Sequence, residues 1–124
     1  MSRVKGRDTK PELMVRSFVH RMGYRFSLHR RDLPGNPDIV LPRLGKVIFV
    51  HGCFWHGHKR CRRSKRPTTN KSFWDTKLDS NIKRDKRFRR ELSRMGWSVL
   101  VVWQCETRDP DALLRKLEKF LSDA

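Results

Sequence analysis

Eleven residues, His51 to Cys61, carry three histidines, two cysteines and two large aromatic side chains. They follow directly on Lys46-Val47-Ile48-Phe49-Val50, an almost wholly apolar and β-branched run. Such a run reads as a central strand buried on both faces. A buried strand that empties into HGCFWHGHKRC constrains the fold sharply, because the sheet edge where it ends must accommodate a crowd of ligand-type groups. A core segment has no need of that density. Upstream, Leu33-Pro34-Gly35-Asn36-Pro37 is a turn. Asp38-Ile39-Val40-Leu41 is then a short strand ended by Pro42, and the connection through Gly45 is short enough for a hairpin. Adjacent strands of this kind can bring Asp38 and His51 to one sheet edge.

The rest of the chain supplies the frame. Asp8-Thr9-Lys10-Pro11-Glu12 reads as a helix start, with Thr9 as N-cap, Pro11 in the first turn and Glu12 placed as in a capping box. Met14, Val15, Phe18, Val19 and Met22 recur at helical spacing, and Gly23 supplies the stop. Tyr24, Phe26 and Leu28 alternate with polar residues as a half-exposed strand. After a basic loop from Lys59 to Lys71, Asn70 or Ser72 can cap a long helix whose apolar stripe is Trp74, Leu78, Ile82, Phe88, Leu92 and Met95. Trp97 to Trp103 reads as a second buried strand, and Asp109-Pro110 opens a last amphipathic helix with Leu113, Leu114, Leu117, Phe120 and Leu121 facing in. The expected order is α-β-β-β-α-β-α, a mixed sheet flanked by helices in one domain, 1–124, with a short N-terminal arm over residues 1–8.

Charge narrows the partner. Thirty Lys+Arg against thirteen Asp+Glu leave a formal charge of +17, more than solubility asks for and suited to a nucleic acid. The charged start, Met1 to Lys10, has no signal-peptide core. No apolar run approaches the roughly 20 residues needed to cross a bilayer. Three cysteines cannot all pair, so reduced, metal-binding or buried thiols in a cytoplasmic, nucleoid-associated protein are expected.

The candidate chemistry follows from these placements. Asp38 is either a turn residue or, with a nearby carbonyl, a site for hard Mg²⁺. His51 and His56 flank Gly52-Cys53-Phe54-Trp55 and are the bases available to take a proton from water. Glu12 adds a second carboxylate unless it serves only the helix cap. His58 and Cys61 have the short spacing of two zinc ligands. On the long helix, Asp85 lies within about 20° of Trp74 and Leu92, the middle of the apolar stripe. An inward carboxylate needs a metal or a partner such as Arg84 or Arg87. Cys105 is the fourth candidate ligand, leaving Cys53 to packing. Phe54, Trp55 and Trp74 either fill the core or wedge between base pairs. Arg62, Arg63, Lys65 and Arg66 of the basic loop are candidate phosphate contacts.

With DTKPE, LPGNPDIV, KVIFVHGCFWHGHKRC, Phe73-Trp74, IKRD and GWSVLVVWQC assembled, the chain resembles the very short patch repair (Vsr) DNA mismatch endonucleases from Arg7 to Cys105. The resemblance implies a restriction-endonuclease-like fold with a variant PD-(D/E)xK site, Phe49-Val50-His51 standing where the usual Glu and Lys would be. It implies Mg²⁺ on Asp38 and the Val50 carbonyl, and His56 as the base. His51 and Glu12 would order water and the phosphate. It implies structural Zn²⁺ on His58, Cys61, Asp85 and Cys105, with Phe54, Trp55 and Trp74 intercalating. The implied activity is nicking of double-stranded DNA 5′ to the thymine of a T:G mismatch, by a monomer, off the membrane, with a MutL-type repair protein as partner. Family members often carry a longer N-terminal arm; by that resemblance Arg3, Lys5 and Arg7 would take part of its role here. A restriction-type or structure-selective nuclease of the same fold, and a zinc-stabilised DNA-binding module without catalysis, are the alternatives.

Overall fold

The computed structural model describes residues 9–123. Thr9 caps the first helix, α1 (Lys10–Arg21), its side chain accepting from the Glu12 amide at 3.4 Å. That is the Thr half of the expected capping box. β1 is only Ser27–Leu28, shorter than the Tyr24–Leu28 alternation implies, because Tyr24 and Phe26 pack against the core without continuing the ladder. β2 (Ile39–Leu41) and β3 (Lys46–His51) form the expected hairpin. Its turn has Gly45 at φ 66°, where a residue without Cβ is at ease.

Helix α2 (Lys71–Arg94) is 24 residues long, or about 36 Å. Asn70 occupies its N-cap position in a left-handed conformation, with no side-chain cap bond. The helix carries the chain back to β4 (Ser98–Trp103), and α3 (Pro110–Ser122) closes the fold, its N-cap Asp109 accepting from Ala112. The sheet order is β1-β2-β3-β4, antiparallel except for the parallel β3/β4 pair. The element order is the expected one. One expectation needs correction: β4 is an edge strand in which only Val102 is fully buried, since among the described residues no further strand covers its outer side.

Strand alternation divides the core into two. Ile39, Leu41, Ile48 and Val102 face α1 and α3, meeting Val15, Val19, Leu113, Leu117 and Leu121. Val40, Val47 and Phe49 face the other way, onto Leu33 and the α2 residue Leu92. Each such fully buried aliphatic side chain contributes about 1.5–3 kcal/mol. The sheet is therefore sandwiched between α1/α3 and α2. Lys46, buried at the start of β3, donates to the Phe120 and Asp123 carbonyls and so closes the C-terminal end of α3. The same two-residue period puts Asp38 in phase with Val40, and His51 in phase with Phe49. Both chemistry-bearing residues are thus delivered to the α2 side.

Candidate active site and metal centre

Asp38 enters β2 with one carboxylate oxygen already fixed, since the Val50 amide donates to Oδ2 at 2.6 Å. Burial pushes its carboxyl up to about 7; the Val50 amide opposes this and the neighbouring Glu12 reinforces it. A carboxyl so placed ionises readily only beside a cation, and its hard oxygen donors fit Mg²⁺. At the end of β3, His51 is 7% exposed. Burial first, and then the facing His56, holds its pKa down to about 3, so its ring is neutral. The two imidazoles stack with centroids 3.8 Å apart and planes within 6°. His56 Nδ1 meets Asp85 Oδ2 at 2.6 Å. With that carboxylate accepting from Nδ1–H, Nε2 keeps its lone pair, which is the tautomer a general base requires.

Asp38, His51, His56 and Asp85 line a single cavity of about 570 Å³, with Arg84 and Arg89 of α2 on its wall. Gly35 belongs to the same wall because a Cβ there would stand 2.8 Å from the Phe88 ring. A second cavity of about 740 Å³ shares Val50, His51 and His56 with the first and adds Glu12, Phe54 and Trp55. Glu12 is only 2% exposed; its Oε2 is held by Arg16 and lies 2.9 Å from His29 Nε2. Its carboxylate thus takes part in a buried polar group that the helix cap alone would not require.

Cys53, His58, Cys61 and Cys105 bring four ligand atoms within 4.8 Å of one another. Cys105 Sγ lies 3.4 Å from His58 Nδ1, and the Trp103 ring stacks on His58 at 4.2 Å. Ser64 staples the loop by donating to the His58 and Cys61 carbonyls. Cys105 rides on a 3-10 turn, Gln104–Arg108, anchored where Glu106 accepts from the Trp103 amide and from Lys116. Three thiols and one imidazole are the donor set of a closed, tetrahedral zinc site. Without a metal, burial raises the Cys53 thiol to about 12. Burial also disfavours the Cys61 thiolate, but the Arg63 amide and the Cys53 and Cys105 thiols outweigh it and lower its pKa.

The family model described as DNA mismatch endonuclease Vsr matches residues 1–63. The chain belongs to the Vsr family. It is 50% identical over 121 residues to the Type II nicking enzyme V.XorIIP of Xanthomonas oryzae, which covers 98% of this chain and 88% of that one. It is 36% identical to the Type II nicking enzyme V.NmeAIP of Neisseria meningitidis over 99% of this chain and 87% of that protein. It is 38% identical to the DNA mismatch endonuclease Vsr of Escherichia coli over 98% of this chain and 80% of that protein. Membership makes the protein a DNA nicking endonuclease, and the family implies the restriction-endonuclease-like fold for its mixed sheet and three helices.

Against the Vsr pattern read from sequence, one metal-site expectation is corrected. Asp85 does point inward from α2, but the group it meets is His56, and Cys53 joins His58, Cys61 and Cys105 in its stead. The signal for Cys53 was its spacing to His58 and Cys61 within one loop; its apolar setting disguised it. Phe54, Trp55 and Trp74 form one group with centroids 5.2–5.9 Å apart. Asn81 of α2 holds that loop by donating to the Trp55 carbonyl at 3.1 Å. Phe73, to which the sequence assigns no role beyond its place in the Phe73-Trp74 motif, extends the group and is 60% exposed. Arg62, Arg63 and Lys65 are exposed, whereas Arg66 pairs with Asp75 at 3.0 Å and Asp79 at 2.7 Å and is committed to α2. Arg3, Lys5 and Arg7 lie outside the described residues. His29 and Arg16, beside Glu12 and Asp38, carried no motif by which spacing alone would reveal them. Among the described residues no helix is long and apolar enough to cross a membrane.

Proposed function

We propose that this Vsr-family protein nicks one strand of duplex DNA 5′ to the thymine of a T:G mismatch. The observation that carries the reading is the convergence of Asp38 and the His56–Asp85 pair on one cavity, beside an aromatic group at its neighbour. Phosphodiester hydrolysis needs a base for the attacking water and positive charge at the phosphate. Nε2 of His56 takes the water proton, and Asp85 stabilises the imidazolium that results. Arg84 and Arg89 on the cavity wall attract and hold the phosphate. Neutral His51 and buried Glu12 order water and the phosphate oxygens. Asp38 and the Val50 carbonyl would hold Mg²⁺, which when bound polarises the phosphodiester and offsets charge developing on its oxygens. The thiol cluster would hold Zn²⁺ and tie the His-rich loop to the end of β4. Phe54, Trp55, Trp74 and exposed Phe73 supply stacking surface for a step weakened by a mispair, where unstacking costs least.

Nicking measured on matched, T:G and other mismatched duplexes, with and without Mg²⁺, tests the reading. The expected product is a single nick on T:G duplex that needs Mg²⁺ and is lost in Asp38→Ala with the fold intact. Retained cleavage by Asp38→Ala in chelator-controlled buffer would remove the proposed site. A second reading has its own support, because two of the relatives above bear the printed name Type II nicking enzyme. On that reading the flanking sequence of a restriction site governs recognition, and equal rates on matched and T:G duplexes of one sequence would favour it.

A further inference from the structure

The polar group at the foot of α1 does more than bury a helix-cap glutamate. Glu12, His29 and Asp38 each offer a ligand atom, and the three lie within 4.8 Å of one another. His29 Nε2 is 2.9 Å from Glu12 Oε2, and its Nδ1 is 4.0 Å from Asp38 Oδ1. Since Asp38 Oδ2 is engaged by the Val50 amide, Oδ1 is the oxygen turned toward this group. The two His29 spacings use opposite nitrogens of the ring, and one ion takes only one of them. With one atom from each residue the three donors still lie within 4.8 Å of one another, a spread that a small shift closes to ligand distances of about 2.0–2.2 Å. The site also accepts positive charge, because Arg16 Nη2 contacts Glu12 Oε2 and sits 3.0 Å from His29 Nε2. A cation bound here competes with that guanidinium for the same two atoms.

We infer that Glu12, His29 and Asp38 form a divalent-cation site with an imidazole ligand, and that it favours Mn²⁺ over Mg²⁺. This rests on the reading of Asp38 as the ion-binding carboxylate and adds a nitrogen donor to it. Mg²⁺ is a hard ion that keeps oxygen ligands and several waters. Imidazole shifts a mixed site toward first-row transition ions, so exchanging it for an amide oxygen costs Mn²⁺ more than Mg²⁺. Asp38 stays common to both ions, whereas His29 discriminates between them.

The test is Mn²⁺ binding to the full-length, zinc-loaded protein, followed by EPR of free Mn²⁺ and by competition with Mg²⁺. Wild type is expected to bind Mn²⁺ with an imidazole-nitrogen coupling in the pulsed EPR spectrum. In His29→Gln that coupling should vanish and Mn²⁺ affinity should fall about tenfold, the lower end of what altered metal-site partners cost, with Mg²⁺ affinity moving less. Unchanged Mn²⁺ affinity in His29→Gln, or a wild-type spectrum without nitrogen coupling, overturns the inference. His51 and His56 line the cavity of Asp38 as well, so His51→Gln and His56→Gln are measured alongside. A coupling lost in either of them overturns the inference, and one kept in both assigns the nitrogen to His29 even should His29→Gln fail to fold. Nicking assays keep the two readings apart. Asp38-dependent, metal-dependent nicking with no nitrogen coupling removes only the His29 ligand. Absence of metal-dependent nicking from the wild type removes the active-site reading itself.

Discussion

Substitution of Asp85 by asparagine separates two roles that one side chain cannot hold at once. The carboxylate lies 2.6 Å from His56 Nδ1 and outside the thiol cluster. Asp85→Asn should therefore leave zinc stoichiometry unchanged while depressing nicking. A charge-assisted hydrogen bond is worth about 1.5–3 kcal/mol. Losing it at the step where His56 becomes cationic predicts a fall of roughly ten- to a hundredfold, at 1.36 kcal/mol per decade. The loss deepens if the asparagine amide donates to Nδ1, for the proton then moves to Nε2 and the base is blocked. Such a tautomer error costs up to about 10⁴ in the serine-protease triad. Both side chains are mostly shielded from solvent, so water cannot fully replace the partner. Single-turnover nicking under saturating Mg²⁺ reads the chemical step, and metal analysis of the same preparation reads the zinc. Full activity in Asp85→Asn would refute the base assignment. Loss of zinc with collapse of the fold would instead return Asp85 to the metal cluster.

Cys53→Ala removes one of four clustered ligands, and zinc content should fall below one equivalent with a lowered Tm, read by metal analysis and thermal denaturation. Retained zinc with normal stability would mean Cys53 is packing alone. Gly57→Ala should cost about 1–3 kcal/mol, because Gly57 has φ +59° and a Cβ there would overlap Ile82 of α2; denaturant unfolding checks it. For pH, the sign follows from Asp38, whose folded carboxyl at about 7 exceeds the ordinary 3.8. The folded state then binds more protons between those values, so Asp38 destabilises the protein progressively as pH rises through that window. Without added divalent ion, Asp38→Asn should match wild type near pH 4 and gain on it toward pH 7, by at most ~4 kcal/mol. A stability difference that does not change with pH would contradict the buried-carboxyl account.

The parts of this molecule legible in the sequence are those fixed by local periodicity. The α-β-β-β-α-β-α order, the β2–β3 hairpin and the inward face of α3 each followed from apolar spacing and a turn residue within one segment. Even Asp85 was readable as an inward carboxylate, since its angle on α2 is a property of that helix alone. What it would meet was not, because the angle says nothing about which loop lies opposite. The His-rich loop crosses over α2 closely enough that Gly57 abuts Ile82, three residues before Asp85, and this approach brings His56 to the carboxylate. It also turns Cys53 and His58 toward the end of β4, where Cys105 waits. The exchange of Asp85 for Cys53 is thus one geometric fact seen twice: a loop that gives His56 to the helix gives Cys53 and His58 to the cluster with Cys61 and Cys105. His29 shows the same limit from the other direction. It sits at φ 50° just past the two-residue β1, where nothing in the one-dimensional pattern marks a site. Only the antiparallel β1–β2 pairing, with the His29 amide donating to the Asp38 carbonyl at 3.2 Å, carries its ring to the carboxylates.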